Sequence, residues 1–218
     1  MKCWGLLLSF CLLFSALQGV ASSDSLKPLK DTLSRIKNST ITRFDLEKKV
    51  VSELMGTEKT YKGRAYMSGN LMRLETDAPD KSWIIYDGKI LWIVNFPDPQ
   101  LGGSTQVLKG ILKEKDKDKM LLTELLAKGR ILESFDIKRT ANDAGVSTYL
   151  ATPKDKKFNL KSVTLVVKNQ DQELKRLDYV DDVGNKTSLN ILAEKIQAEA
   201  RPDLFKFKPE KGDQVSHL

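Results

Sequence analysis

Between Lys81 and Phe96 the chain reads KSWIIYDGKILWIVNF. Asp87-Gly88 divides two apolar runs. Asp-Gly suits a two-residue hairpin turn because both central residues of such a turn need a positive φ. The expected pairs are Tyr86 with Lys89, Ile85 with Ile90, Ile84 with Leu91 and Trp83 with Trp92. Successive side chains point to opposite faces of a strand. One face then carries Trp83, Ile85, Ile90, Trp92 and Val94 and is wholly apolar; the other carries Ser82, Ile84, Tyr86, Lys89, Leu91 and Ile93. In a chain that is 30% charged, so apolar a hairpin needs a purpose.

The segments around it predict a sheet. Leu26, Leu29, Leu33 and Ile36 fall on one side of a helix that carries Pro28 early and ends near Asn38. Alternation then sets Phe44, Leu46, Val50 and Leu54 on one face of a strand over 42–54. In 61–67, Gly63, Ala65 and Met67 oppose Lys62, Arg64 and Tyr66, and in 70–77 Met72 and Leu74 oppose Arg73 and Glu75. After Gln106-Val107-Leu108 the charged run KEKDKDK (113–119) leads into a second short amphipathic helix, with Leu121, Leu122, Leu125 and Leu126 along one side and Gly129 as its stop. Further strands are expected at 131–138, 146–151, 160–168, 173–180, 186–192 and 204–207. The fold class is mainly β: a single, strongly curved antiparallel sheet with two helices packed on one face, and no repeat or linker.

Residues 1–21 have the form of a secretory signal, with Lys2, an apolar stretch from Leu6 to Leu17 and small residues at Gly19-Val20-Ala21. The domain would then span 22–218. Both cysteines, Cys3 and Cys11, lie in the signal, which leaves no thiol for a disulfide. Leu8-Ser9-Phe10-Cys11 loosely resembles a lipoprotein cleavage site, although Phe10 is bulky for the position before the cysteine. Without Lys2 the chain holds 35 basic and 29 acidic residues. That excess suits an anionic lipid surface or an acidic partner, or merely a solvated exterior. Aromatic and basic residues do not alternate as in nucleic-acid binders, and no nucleic-acid partner is expected.

Catalytic chemistry has little to work with. The one histidine is His217, so triads and histidine–metal sites cannot be assembled. No phosphate-binding glycine motif occurs. Asp178, Asp181 and Asp182 form the one carboxylate cluster, readable as a metal site, an acid pair or the end of a strand before Gly184-Asn185. The chain is expected to be no enzyme and to need no cofactor or metal.

Two readings remain for the apolar face. It is an ordinary core sealed by the helices, or the wall of a lipid cavity under a movable lid. Methionine and tryptophan together favour an adaptable, loosely filled site. The cavity reading assigns Phe44, Met67, Met72, Leu74, Trp83, Ile85, Ile90 and Trp92 to the wall and Leu33, Leu121, Leu122 and Leu125 to the lid.

Several motifs, in order along the chain, resemble the periplasmic outer-membrane lipoprotein carrier family, LolA. These are Gly63–Met67 running into Asn70-Leu71-Met72-Arg73-Leu74, SWIIYDGKILWIVN (82–95), Gln106-Val107, Leu121-Leu122, Phe135 and Tyr149-Leu150-Ala151-Thr152-Pro153-Lys154. They continue with Asp182-x-Gly184-Asn185-x-Thr187, LFKFKP (204–209) and Gly212-Asp213-x-Val215. The resemblance implies an incomplete antiparallel β-barrel with helices as a lid. It further implies a monomeric periplasmic carrier that takes acylated lipoproteins from an inner-membrane ABC exporter to an outer-membrane receptor lipoprotein. A sensor of the same fold that does not transfer its ligand is the alternative. Ser68-Gly69 stands where the family has Arg-Pro, Leu46 where it has glutamine, and Met72 and Leu74 where it has aromatic residues. The first departure implies a weakly latched lid.

Overall fold

The computed structural model describes residues 23–77, 80–111 and 130–217. The expected signal segment 1–21, the charged run 113–119 and the lid residues Leu121, Leu122 and Leu125 lie outside them. Helix α1, Lys27–Asn38, follows a 3₁₀ turn over Ser23–Leu26 and has proline in its first turn. Its apolar spacing buries Leu29, Leu33 and Ile36, each at 2% exposure or less.

The strands are β1 (Ile41–Ser52), β2 (Thr57–Ser68), β3 (Leu71–Thr76), β4 (Ser82–Tyr86), β5 (Ile90–Asn95) and β6 (Gln106–Ile111). They continue with β7 (Phe135–Asp143), β8 (Val146–Pro153), β9 (Leu160–Lys168), β10 (Glu173–Asp181), β11 (Lys186–Gln197) and β12 (Gln214–His217). All twelve form one sheet in the order β12-β6-β5-β4-β3-β2-β1-β11-β10-β9-β8-β7. Neighbours are antiparallel except for β12, which runs parallel to β6. The sheet is open and curled rather than closed. A side chain at Gly63 would collide with the backbone, since a Cβ there would lie 2.0 Å from the Glu75 carbonyl oxygen on β3.

Three local expectations are corrected. Residues 131–134, read as strand, form a turn of helix, α2 (Ile131–Ser134), before β7 begins. Residues 204–207, also read as strand, begin within a 3₁₀ turn, Pro202–Phe205. The hairpin pairs Tyr86 with Leu91, Ile85 with Trp92 and Trp83 with Val94, two residues away from the expected register. The cause is Asp87: its carboxylate accepts the backbone N–H groups of Lys89 (2.9 Å) and Ile90 (2.8 Å), which lengthens the loop. Gly88, at φ 94°, takes the left-handed conformation that the turn requires. Because side chains repeat every two residues, a slip of two leaves each hairpin residue on its expected face.

Cross-strand register defines the two faces. The inner face, on which α1 packs, carries Phe44, Leu46, Ala65 and Met67, joined by Tyr149, Leu165, Leu177 and Leu189 from the other half of the sheet. On the outer face Ile41 and Tyr66 pack against Phe205 and Leu204 of the C-terminal segment.

Candidate functional site

The register between β3 and β4 divides the expected cavity wall. Met72 pairs with Tyr86, Leu74 with Ile84, Arg73 with Ile85 and Glu75 with Trp83. Paired residues share a face. Phe44, Met67, Met72 and Leu74 are therefore on the inner face, together with Ile84, Leu91 and Ile93. Trp83, Ile85, Ile90 and Trp92 are on the outer face. The expectation that all eight line one wall, with Ile84, Leu91 and Ile93 pointing away from it, is corrected.

The outer group is covered by the protein itself. Ile85, Trp92, Val94 and Val107 pack with Trp83, Ile90, Phe96 and Phe207. Trp83 meets Phe96 edge-on at 4.7 Å, and Trp92 meets Phe207 at 5.4 Å. The Arg73 guanidinium lies over Trp83 at 4.2 Å and donates to the Leu204 carbonyl at 3.2 Å and to Glu75 at 2.6 Å. Aromatic contacts of this kind add about 1 kcal/mol each beyond burial. The hairpin's most apolar face is thus core beneath the C-terminal segment.

The inner face has three zones. In the core that α1 shares, Phe44, Leu46, Ala65 and Met67 face Leu174, Leu177, Leu189 and Ile191 across a gap of about 10 Å³ that has no polar lining. Drug-sized ligands occupy pockets of roughly 300–1,000 Å³, so this gap is far too small to hold one as it stands. The second zone is an apolar strip in which Met72 and Leu91 pack with Ile84, Tyr86 and Ile93. The third is an open cavity of about 410 Å³ at the far end of β1 and β2, lined by Lys48, Val50, Ser52, Met55, Thr57, Lys59, Tyr61, Thr76, Asp80 and Ser82.

Polar contacts tie α1 to the sheet. Arg35 donates to the Gln172 carbonyl at 2.8 and 3.2 Å and to the Glu194 carboxylate. Glu194 also accepts the Leu174 N–H at 3.1 Å, and its side chain is 2% exposed. Burial pushes its carboxyl up from the usual range, against the opposing pull of Arg35 and the Leu174 N–H. Just before the helix, Tyr149, fully buried, donates its hydroxyl to the Ser25 carbonyl at 3.3 Å. Leu33, the described member of the expected lid, is buried within this helix–sheet interface.

The cavity holds one unusual charge. Lys48 pairs with Tyr61 on one side and Leu189 on the other. It is half-buried, and burial lowers its pKa from the ordinary lysine value. Lys59 lies 3.6 Å from Asp80, which also accepts the Tyr61 hydroxyl at 3.3 Å. Among the described residues Lys48 has no carboxylate partner. The aspartate cluster has structural roles instead: Asp181 accepts the Asn185 backbone N–H and side-chain amide at 2.7 and 2.8 Å, and Asp178 pairs with Arg176 at 2.9 Å. Among the described residues no group of three acidic, histidine or cysteine side chains is placed to hold a metal ion.

Sequence reasoning passed over Arg35, Glu194 and Lys48. A weak signal existed for Lys48, which continues the inner-face alternation of Phe44 and Leu46 with a charge.

Residues 48–208 match the family described as outer membrane lipoprotein carrier protein LolA. An outer-membrane lipoprotein carrier protein of Actinobacillus pleuropneumoniae serotype 7 (strain AP76) is 26% identical over 168 residues, which cover 73% of each chain. Among solved structures, an uncharacterized conserved protein from Thermus thermophilus has a TM-score of 0.53 at 13% identity, covering 87% of this chain and 99% of its own. That last likeness is one of fold.

Proposed function

The chain belongs to the outer membrane lipoprotein carrier family, LolA, and from that premise we propose that it binds the acyl chains of lipoproteins on its inner face and shuttles them from the inner to the outer membrane. The observation that carries this reading is the wholly apolar gap between Phe44, Leu46, Ala65 and Met67 and Leu174, Leu177, Leu189 and Ile191, in the same apolar core as a helix that polar contacts hold to the sheet. Such a site opens when α1 lifts and closes when it returns.

The energies are compatible with that cycle. Lifting α1 exposes Leu29, Leu33 and Ile36, at about 2 kcal/mol each. A methylene withdrawn from water contributes about 0.8 kcal/mol, so roughly eight methylenes offset the exposed leucines and isoleucine. An acyl chain of roughly 15 methylenes leaves a surplus for binding, yet one small enough for release to an acceptor. In this reading Phe44, Met67, Met72 and Leu74 are joined by Leu46, Ile84, Leu91 and Ile93 as the acyl wall, and Leu33 belongs to the lid. The chain is exported through residues 1–21, works as a monomer in the periplasm, receives cargo from an ABC exporter and yields it to a receptor lipoprotein. No catalytic step is assigned to it.

The test is transfer. Inner-membrane vesicles bearing a labelled triacylated lipoprotein are incubated with the protein and then with outer-membrane acceptor. A soluble protein–lipoprotein complex that discharges its label into the acceptor is the expected result. A complex that forms but never discharges favours the sensor alternative, and absence of any complex overturns lipoprotein binding.

A further inference from the structure

The open cavity is chemically unlike the apolar surface it adjoins. Lys48 stands at the junction. Its strand neighbour on the same face, Leu46, and its cross-strand partner, Leu189, both line the apolar gap. Lys48 itself lines the cavity with Lys59, Tyr61, Thr57, Thr76 and Ser82. Asp80 is engaged by Lys59 and by the Tyr61 hydroxyl. The cavity thus holds two lysines against one carboxylate, and Lys48 has no counter-charge among the described residues.

From this arrangement we infer that the cavity is a head-group subsite for an anionic amphiphile, whose carboxylate or phosphate pairs with Lys48 while its acyl chain runs past Leu46 and Leu189 onto the inner face. The inference rests on the acyl-binding reading and extends it from lipoprotein acyl chains to free anionic amphiphiles. A half-buried ammonium without a partner is costly, and the depressed pKa of Lys48 expresses that cost. An arriving anion removes the cost and adds charge-assisted hydrogen bonds. The cavity volume of about 410 Å³ admits a head group with its hydroxyl partners. Its lip carries Met55, 71% exposed, beside Leu54 at 94%, an apolar edge over which a chain can leave a lipid surface.

The experiment is calorimetric titration of the whole protein with dodecanoate, dodecyl phosphate and dodecanol, which share a chain and differ in head group. At least one anion should bind more tightly than the alcohol, by about tenfold, as one charge-assisted contact in a partly buried site provides. Whichever anion binds more tightly distinguishes a fatty acid from a phospholipid-type source. Lys48→Met should erase the preference while dodecanol binding persists, and Lys48→Arg should restore part of it. Equal affinity for all three amphiphiles in the unaltered protein overturns the head-group subsite and leaves acyl binding intact. So does an anion preference that survives in Lys48→Met. Failure of all three to bind overturns both the subsite and the acyl-binding reading beneath it.

Discussion

Ile84 and Ile85 are adjacent in β4 and belong to different parts of the molecule. Ile85 is fully buried on the outer face, among Trp92, Val94 and Val107. Ile84 is half-buried on the inner face, with Met72 and Leu91. The outer face holds the indoles and is covered: the C-terminal segment lays Phe207 against Trp92 and anchors Leu204 to Arg73. The inner face mixes aromatic residues such as Phe44 and Tyr149 with aliphatic ones, and at β3 to β5 it is a strip of Met72, Leu91, Ile84 and Ile93 with Tyr86. Within β4 the face that bears Trp83 and Ile85 packs beneath Phe96 and Phe207, and the face that bears Ile84 packs with Met72 and Leu91.

The largest expected effect tests the covering of the outer face. Trp92→Ala removes the contact to Phe207 and leaves a cavity among Ile85, Val94 and Val107. It should cost about 4 kcal/mol, or about 10 °C in Tm, by denaturant titration and calorimetry. Acyl binding per folded molecule should be unchanged. A Trp92→Ala protein that remains stable but loses acyl binding would reverse the assignment of the two faces.

The adjacent isoleucines sharpen the contrast. Ile85→Ala should cost about 3 kcal/mol and leave amphiphile affinity unchanged, whereas Ile84→Ala should cost about 1 kcal/mol and weaken it several-fold. Parallel titrations of the two variants with dodecanol decide between them. Equal effects on binding would mean that the two faces of β4 are not functionally distinct.

This contrast also shows what the sequence made legible. Helix α1, strands β1 to β5 and β8 to β11 and the curled antiparallel sheet followed from periodicity and from Asp87-Gly88, whereas β6 was not foreseen as a strand. Alternation within a strand was mostly right: Met72 and Leu74 do oppose Arg73 and Glu75, but Leu54, expected on the Phe44 face, lies in the turn after β1. What alternation cannot supply is the phase between strands. Whether Met72 shares a face with Ile84 or with Ile85 depends on the length of the connection around Asp77–Lys81, and a change of one residue there exchanges the faces. The indoles then drew the expected wall to a face that the C-terminal segment covers. The covering of the outer face was hidden for a related reason: LFKF reads as an alternating strand, but Pro202 and Asp203 open a 3₁₀ turn that places Phe205 and Phe207 on the sheet. Arg35 and Glu194 lie 159 residues apart in sequence, and no local pattern predicts such a pair.

A third prediction concerns the mobility of the inner face's cover. Arg35→Met keeps the apolar stem of the side chain and removes both its contacts to Gln172 and its pairing with Glu194. Global stability should fall by about 1–2 kcal/mol. Amide exchange over 29–38 should quicken by about tenfold while the outer-face strands stay protected. Uniform acceleration across the sheet would mean that Arg35 supports the whole fold rather than the seating of α1.

The smallest expected effect is the pH dependence of that seating, and its sign is not the obvious one. Protonating Glu194 removes its charge from the pair with Arg35, which suggests that acid should release the helix. The carboxyl is nevertheless pushed above its usual range, because burial outweighs Arg35 and the Leu174 N–H. The folded, closed state therefore binds this proton more readily than the unfolded chain. By linkage, stability falls as pH rises between the ordinary carboxylate value and the raised one, and is level above it. The group's favourable contribution is present at low pH and is lost on the way to neutrality. An open state that hydrates Glu194 has the more ordinary pKa, so acid favours closure. The measurement is Tm and amide exchange of α1 from mildly acidic to neutral pH, in the unaltered protein and in Glu194→Gln, which keeps the shape without the titration. The difference between the two proteins should widen toward neutral pH, with the glutamine variant gaining. A difference that widens toward acid would place the attraction of Arg35 above the cost of burial and make α1 a helix that acid releases.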